Sequence, residues 1–156
     1  MSDVASLLAR ARAKGVMIAT AESCTGGMLA AMITDVAGSS AVFERGFVTY
    51  SNAAKQEMLG VKAESLAAHG AVSEAVALEM ASGALVRSAA DIAVSITGIA
   101  GPGGSEHKPE GRVCFGLARK GRRAQVHTVE FGAQGRATVR QASALHALDL
   151  LTEALH

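Results

Sequence analysis

Val16-Met17-Ile18-Ala19-Thr20-Ala21-Glu22-Ser23-Cys24-Thr25-Gly26-Gly27-Met28-Leu29-Ala30-Ala31-Met32-Ile33 is the stretch that decides the fold. Val16 to Ala19 is an apolar run and reads as a short buried strand. Thr20 to Gly27 is a tight polar turn of small residues, and Met28 onward carries the spacing of a helix. Such a turn aims the first N–H groups of the helix at one point, where partial positive charge collects. Ser23 and Cys24 stand side by side in it as possible nucleophiles. An ordinary helix cap accounts for the same residues, because Ser and Thr are favoured there. The two readings part on whether the rest of the chain supplies partners.

The surrounding chain is that of one globular domain, residues 1–156. Hydrophobic residues make up 49% and charged ones 19%, enough to bury a core and too few charges for disorder. Aromatics are 3% and alanine and glycine abundant, so small side chains must pack closely. A net charge of +1 gives no reason to expect a nucleic-acid partner. No apolar run approaches the roughly 20 residues that span a bilayer, and the first residues lack the order of a signal peptide. Cys24 and Cys114 form neither a disulfide framework nor a CxxC pair. A reducing cytoplasm is the expected setting.

Outward from the opening stretch, Ser2 can cap a helix through about Lys14, which Gly15 ends. The helix after the turn is expected to reach about Val36. Gly46 to Ser51 reads as a strand by its β-branched and aromatic content. Ser51 or Asn52 can cap a helix to Leu59; Ala63 to His69 and Glu74 to about Ala89 are further helices. Ile92 to Ile96 is a central strand by its continuous apolar character, running into the glycine-rich turn Thr97 to Gly104. Val113–Ala118 and Gln125–Phe131 read as a hairpin, and Arg136 to about Leu155 as an amphipathic helix. Helices alternating with strands, then a hairpin, predict a mixed sheet with helices on both faces. Sites in such folds form at the carboxyl ends of the strands. The turns after Ala19 and Ile96, and Tyr50, all fall there.

Several chemistries have no motif here: GxxxxGK[ST], GxGxxG, HExxH and clustered metal-ligand spacings are absent. No cofactor or metal is expected. The five histidines are scattered, which leaves Lys55 as a candidate base. If Asn52 is the cap, Lys55 lies in the first turn of its helix, where its cation is opposed by the macrodipole, and burial would lower its pKa further; a solvated surface lysine is the competing reading. Arg136 and Arg140 share one face at the start of the last helix, where cations are unfavourable unless an anion sits beside them. A phosphate would suit them, as would a simple basic face.

Four blocks occur together and in order: Thr20-Ala21-Glu22-Ser23-Cys24-Thr25-Gly26-Gly27; Gly46-Phe47-Val48-Thr49-Tyr50-Ser51-Asn52 with Lys55; Gly70-Ala71-Val72-Ser73-Glu74; and Ser95-Ile96-Thr97-Gly98-Ile99-Ala100-Gly101-Pro102. The set closely resembles the CinA C-terminal domain family, over essentially the whole chain. The resemblance implies an α/β fold, a three-layer α/β/α sandwich around a mixed, mostly parallel sheet. Its enzymatic members are nicotinamide-nucleotide amidohydrolases, which implies hydrolysis of nicotinamide mononucleotide to nicotinic acid mononucleotide and ammonia, in pyridine nucleotide salvage. It places the nucleophile at Ser23, a lysine at Lys55 and a tyrosine at Tyr50. Cys24, Thr25 and Gly26, with Thr97 and Gly98, are then expected against the substrate, and a family arginine falls at Arg140 or Arg136. The resemblance implies a homodimer and the stand-alone form, without the extra N-terminal domain of larger members. A non-catalytic nucleotide-binding module is the alternative function; the presence of Ser23, Tyr50 and Lys55 together favours the enzyme.

Overall fold

Three strands of this chain alternate large and small side chains, and that alternation sets the layers. The computed structural model describes residues 3–156. Its elements are α1 (Val4–Lys14), β1 (Ile18–Glu22), α2 (Met28–Thr34), β2 (Phe43–Val48), α3 (Asn52–Leu59), α4 (Ala63–His69), α5 (Glu74–Val86), β3 (Ile92–Gly98), β4 (Arg112–Arg119), β5 (Gln125–Glu130) and α6 (Arg136–Ala154), with a short 3-10 turn at Ser39–Ala41. The sheet order is β2-β1-β3-β4-β5. β1 pairs in parallel with β2 and β3, while β4 is antiparallel to both its neighbours. Four strands therefore point one way and only β4 runs against them, so two of the four pairings are parallel and two antiparallel: a mixed sheet in an α/β sandwich, without the parallel majority that was expected.

Ile18, Ile92, Val94, Ile96, Val113 and Phe115 pack on one face with Leu7, Leu29, Ile33, Val139 and Leu148 of α1, α2 and α6. The other face presents Ala19, Ala21 and Ala93 to Val76 and Met80 of α5. Ser95 Oγ donates to Ala77 O at 2.6 Å, and a Cβ at Gly116 would run into the same carbonyl. Small residues on this face let α5 lie almost on the sheet backbone. The abundance of alanine and glycine is used here, and close packing of this kind is sensitive to each added methylene.

Element ends differ from the sequence expectations for identifiable reasons. β1 starts at Ile18 and runs through Thr20, Ala21 and Glu22, all buried, because β2 and β3 flank it on both sides. β2 covers Phe43–Val48 rather than Gly46–Ser51, since Phe43 registers with Ile18 and Val48 with Glu22. α2 is only seven residues and ends at Thr34. α5 stops at Val86. β3 gains Thr97 and Gly98, which register with Cys114 and Val113. Asp3 caps α1 by accepting from Ser6 N at 2.7 Å; the expected cap, Ser2, lies outside the described residues. Gly15 ends α1 in the left-handed region, as expected. Among the described residues no helix is long and apolar enough to cross a membrane.

Candidate active site

The carboxyl ends of β1, β2 and β3 lie side by side, and the loops leaving them enclose a cavity of about 210 Å³. Ser23 and Cys24 enter it from β1, Tyr50 and Lys55 from β2 and α3, and Thr97 and Gly98 from β3. Arg136, at the start of α6, and Glu106, in the loop between β3 and β4, complete the charged part of its wall. A larger hollow of about 390 Å³ lies at the other end of β4, between Arg119, Arg122 and Leu150, and is lined by no Ser, Thr, Cys or Lys among the described residues.

Lys55 is only 1% exposed, the bulkiest of the fully buried side chains. Ser51 caps α3 by accepting from Ala54 N at 3.0 Å, which turns Lys55 inward toward the sheet. Its Nζ lies 2.9 Å from Ser23 Oγ, 2.9 Å from Thr49 O and 3.3 Å from Tyr50 O. Burial pushes the amine below its ordinary value, and the charges of Cys24 and Glu106 pull weakly the other way. A neutral amine has two N–H groups and one lone pair. The two carbonyls take the N–H groups, and the lone pair is left for the Ser23 hydroxyl hydrogen. The cause of the lowered value is desolvation first, rather than the helix dipole.

The turn that carries Ser23 is held from three directions. Ser23 N donates to Ile96 O at 3.0 Å, and Gly26 N to Ser23 O at 3.0 Å. Glu22, 1% exposed, accepts from Leu29 N at 2.9 Å and Ala30 N at 3.0 Å. The positive end of α2 is thus occupied by the protein's own carboxylate, not offered to a ligand as the turn alone suggests. Arg140 donates from Nε to Cys24 O and from Nη2 to Thr25 O, each at 3.1 Å. Gly27 adopts φ 102°, a region that favours glycine. The amides of Cys24 and Thr25 donate to no backbone carbonyl among the described residues. Thr25 Oγ1 and Thr20 Oγ1 are buried and have no hydrogen-bond partner among the described residues.

A helix N-terminus lowers a thiol pKa, but burial pushes the Cys24 thiol up to about 11. A thiol in that state is a poor nucleophile near neutrality. Tyr50 is 61% exposed. Its carbonyl faces Lys55, and its hydroxyl accepts from Arg136 Nη2 at 2.9 Å. Arg136 Nη1 also donates to Gly101 O at 2.7 Å, so this exposed guanidinium bridges the β2 and β3 loops at the cavity. Arg136 and Arg140, one helical turn apart, therefore stand in different places: the first lines the cavity and the second braces the turn that carries Ser23. Thr97 Oγ1 donates to Ala71 O at 2.8 Å, and a Cβ at Gly98 would come within 2.6 Å of Val113.

Two site features escaped the sequence reading. Glu22 had a signal in hindsight: a carboxylate ending an apolar strand must find partners, and helix amides seven residues on can supply them. Glu106 had none, because nothing local says that its loop folds over the cavity. The scattered histidines gave no hint of pairing, yet His127 and His146 meet at 2.7 Å between β5 and α6, against Phe115 and among the core residues of that face.

Comparison with known proteins identifies the family. The model of the CinA C-terminal domain family matches residues 2–155. The chain belongs to the CinA C-terminal domain family. Among relatives, the nicotinamide-nucleotide amidohydrolase PncC of Escherichia coli (strain K12) is 66% identical over 108 residues, 69% of this chain and 66% of that one. A CinA-like protein of Chloroherpeton thalassium is 52% identical over 149 residues, 93% of this chain and 35% of the relative. The matched region thus spans about two thirds of the first relative and about a third of the second. Among solved structures, the competence/damage inducible protein CihA of Agrobacterium tumefaciens superposes with a TM-score of 0.90 at 48% identity, covering 99% of this chain and 96% of the other. A CinA superfamily protein of Klebsiella pneumoniae superposes at 0.93 with 38% identity, over 97% and 94%. The family's α/β sandwich is the fold described above.

Proposed function

We propose that this chain hydrolyses the carboxamide of nicotinamide mononucleotide, releasing nicotinic acid mononucleotide and ammonia, by acyl transfer through Ser23 and Lys55. The observation that carries the reading is the 2.9 Å separation of Lys55 Nζ and Ser23 Oγ in a buried setting that favours the neutral amine. The name of the Escherichia coli relative supports the substrate. In this reading the Ser23 hydroxyl proton passes to Lys55 Nζ as Oγ bonds to the amide carbon. The amides of Cys24 and Thr25 stabilise the oxyanion. The C–N bond breaks, and Lys55 returns the proton to the leaving nitrogen, which departs as ammonia. Water then attacks the acyl-enzyme, giving a proton to Lys55, and Ser23 Oγ recovers it as the carboxylic acid leaves. Arg136 holds the phosphate as a bidentate donor, the exposed ring of Tyr50 lies against the pyridine ring, and the reaction serves pyridine nucleotide salvage.

The test is ammonia release from nicotinamide mononucleotide. Wild-type protein should turn it over, and Ser23→Ala should lose that turnover while keeping its thermal midpoint. Full activity in Ser23→Ala would remove the serine, and no activity in the wild type would remove the substrate.

A further inference from the structure

Glu106 lines the cavity but has no part in the steps above. It sits on a folded strap, residues 101–110, between β3 and β4. Lys108 Nζ ties the strap to the carbonyls of His69 and Val72 at the α4–α5 junction. Glu110 ties it again, accepting from Gly103 N at 2.7 Å and Gly135 N at 3.4 Å. Ser105 and Lys108 exchange backbone hydrogen bonds at 3.0 and 2.8 Å. Glu106 and His107 both sit at positive φ, 51° and 63°, an uncommon conformation for residues with a Cβ. The strap's fastenings hold that bend, and the Glu106 carboxylate lies against Gly70, where a Cβ would collide with it.

In this position Glu106 makes no hydrogen bond or ion pair among the described residues, and its charge reaches Lys55. Lys108, the nearest cation on the strap, turns its protons to backbone carbonyls instead. The cavity wall therefore carries the guanidinium of Arg136 and the carboxylate of Glu106, beside the buried Lys55 amine. A ligand that matches both carries an anionic group and a positive centre.

We infer that Glu106 is a specificity residue that supplies the counter-charge for a cationic ring, selecting N-ribosylated pyridinium carboxamides over neutral-ring ones. The inference rests on the amidohydrolase reading above. A pyridine nitrogen bonded to ribose is quaternary and positive, while the phosphate beyond the ribose is negative. With the amide carbon at Ser23 Oγ and the phosphate at Arg136, the ring lies in the cavity whose remaining charge is Glu106. A neutral ring would leave that carboxylate partly desolvated and unpaired, which weakens binding.

The experiment is calorimetric titration of the Ser23→Ala protein with nicotinamide mononucleotide and with its 1,4-dihydropyridine form. The two share ribose, phosphate and carboxamide and differ in ring charge. Ser23→Ala should bind the cationic form roughly tenfold tighter, as expected for one partly exposed charge pair. Adding Glu106→Gln should erase that preference by weakening the cationic form alone, and adding Glu106→Lys should reverse it. Thermal midpoints within a degree or two of the Ser23→Ala protein would exclude a folding defect. A preference that survives Glu106→Gln, or equal binding of both forms by Ser23→Ala, overturns the inference and leaves the amidohydrolase reading standing. If Ser23→Ala binds neither form while wild-type protein releases no ammonia, both fall together.

Discussion

Glu22 and Lys55 are each 1% exposed, and each lies beside Ser23, yet they do opposite things. Glu22 meets the amides of Leu29 and Ala30, two N–H groups fixed at the start of α2. Lys55 meets two fixed carbonyls and one hydroxyl whose hydrogen can move. The buried acid is closed off by groups that have no chemistry to do. The buried amine has one partner, the Ser23 hydroxyl, whose proton can move. Burial of an ionisable group therefore does not mark a reactive site by itself; the mobility of the partner's proton decides it.

The sharpest way to break this contrast is Lys55→Met, which keeps the apolar stem and removes the amine. Turnover should fall by roughly 10³-fold, within the range for losing a positioned general base. The thermal midpoint should hold or rise, because a buried amine costs more than a thioether in the same space. Retained turnover would end the comparison.

The two arginines of α6 extend it. Arg140→Ala loosens the turn that carries Ser23, and kcat should drop by about 10²-fold, the scale of an ångström-sized misplacement, with KM little changed. Arg136→Ala removes a cavity-lining guanidinium, and KM should rise about tenfold with kcat nearly kept. Steady-state kinetics on both variants would show whether the parameters divide this way. If Arg140→Ala raises KM alone, its place beneath the turn is not its main role.

The pH profile tests Lys55 directly. A neutral amine is needed, so kcat/KM should rise with pH, about tenfold per unit on the acid limb. Because burial lowers the Lys55 value from 10.5, the midpoint of that limb should lie below 10.5. A limb centred at or above that value would mean the amine is held charged. Glu22→Gln should act on the other side of the comparison, lowering stability in urea by about 1–2 kcal/mol through the lost helix-terminus contact, with a smaller effect on kcat than Lys55→Met. Cys24→Ala should change turnover least, within about twofold, because a thiol pushed up to about 11 contributes little nucleophile. Strong inactivation of wild-type protein by iodoacetamide at neutral pH would argue against that.

The strand–turn–helix order, the central strand at Ile92 and the closing hairpin were legible because apolar periodicity is a local property. So were α4, with its bounds at Ala63 and His69, and the Ser51 cap of α3. The ends of β1 and β3 were not, since Thr20, Glu22, Thr97 and Gly98 become strand only when neighbouring strands supply their hydrogen bonds. Local chemistry named Ser23 and Cys24 as alternative nucleophiles and Lys55 as a candidate base, and only the family resemblance singled out Ser23 and set it with Lys55; no local pattern in the sequence brings the two side chains together. Ser23 and Lys55 are 32 positions apart and arrive on different elements, the turn after β1 and helix α3.

By itself the sequence determined the layers and the inventory. Alternating large and small residues on the strands set which face α5 can approach closely, and glycine-rich turns set where loops can tighten. Tertiary structure decided the roles. It buried Cys24, which pushes its thiol up, turned Arg140 onto two backbone carbonyls while leaving Arg136 in the cavity, and set Glu22 against α2 rather than leaving that helix end for a ligand. The physical reason is the same in each case. A side chain's charge, reactivity and partners depend on what lies within a few ångströms, and for the Ser23–Gly27 turn most of those neighbours come from distant parts of the chain.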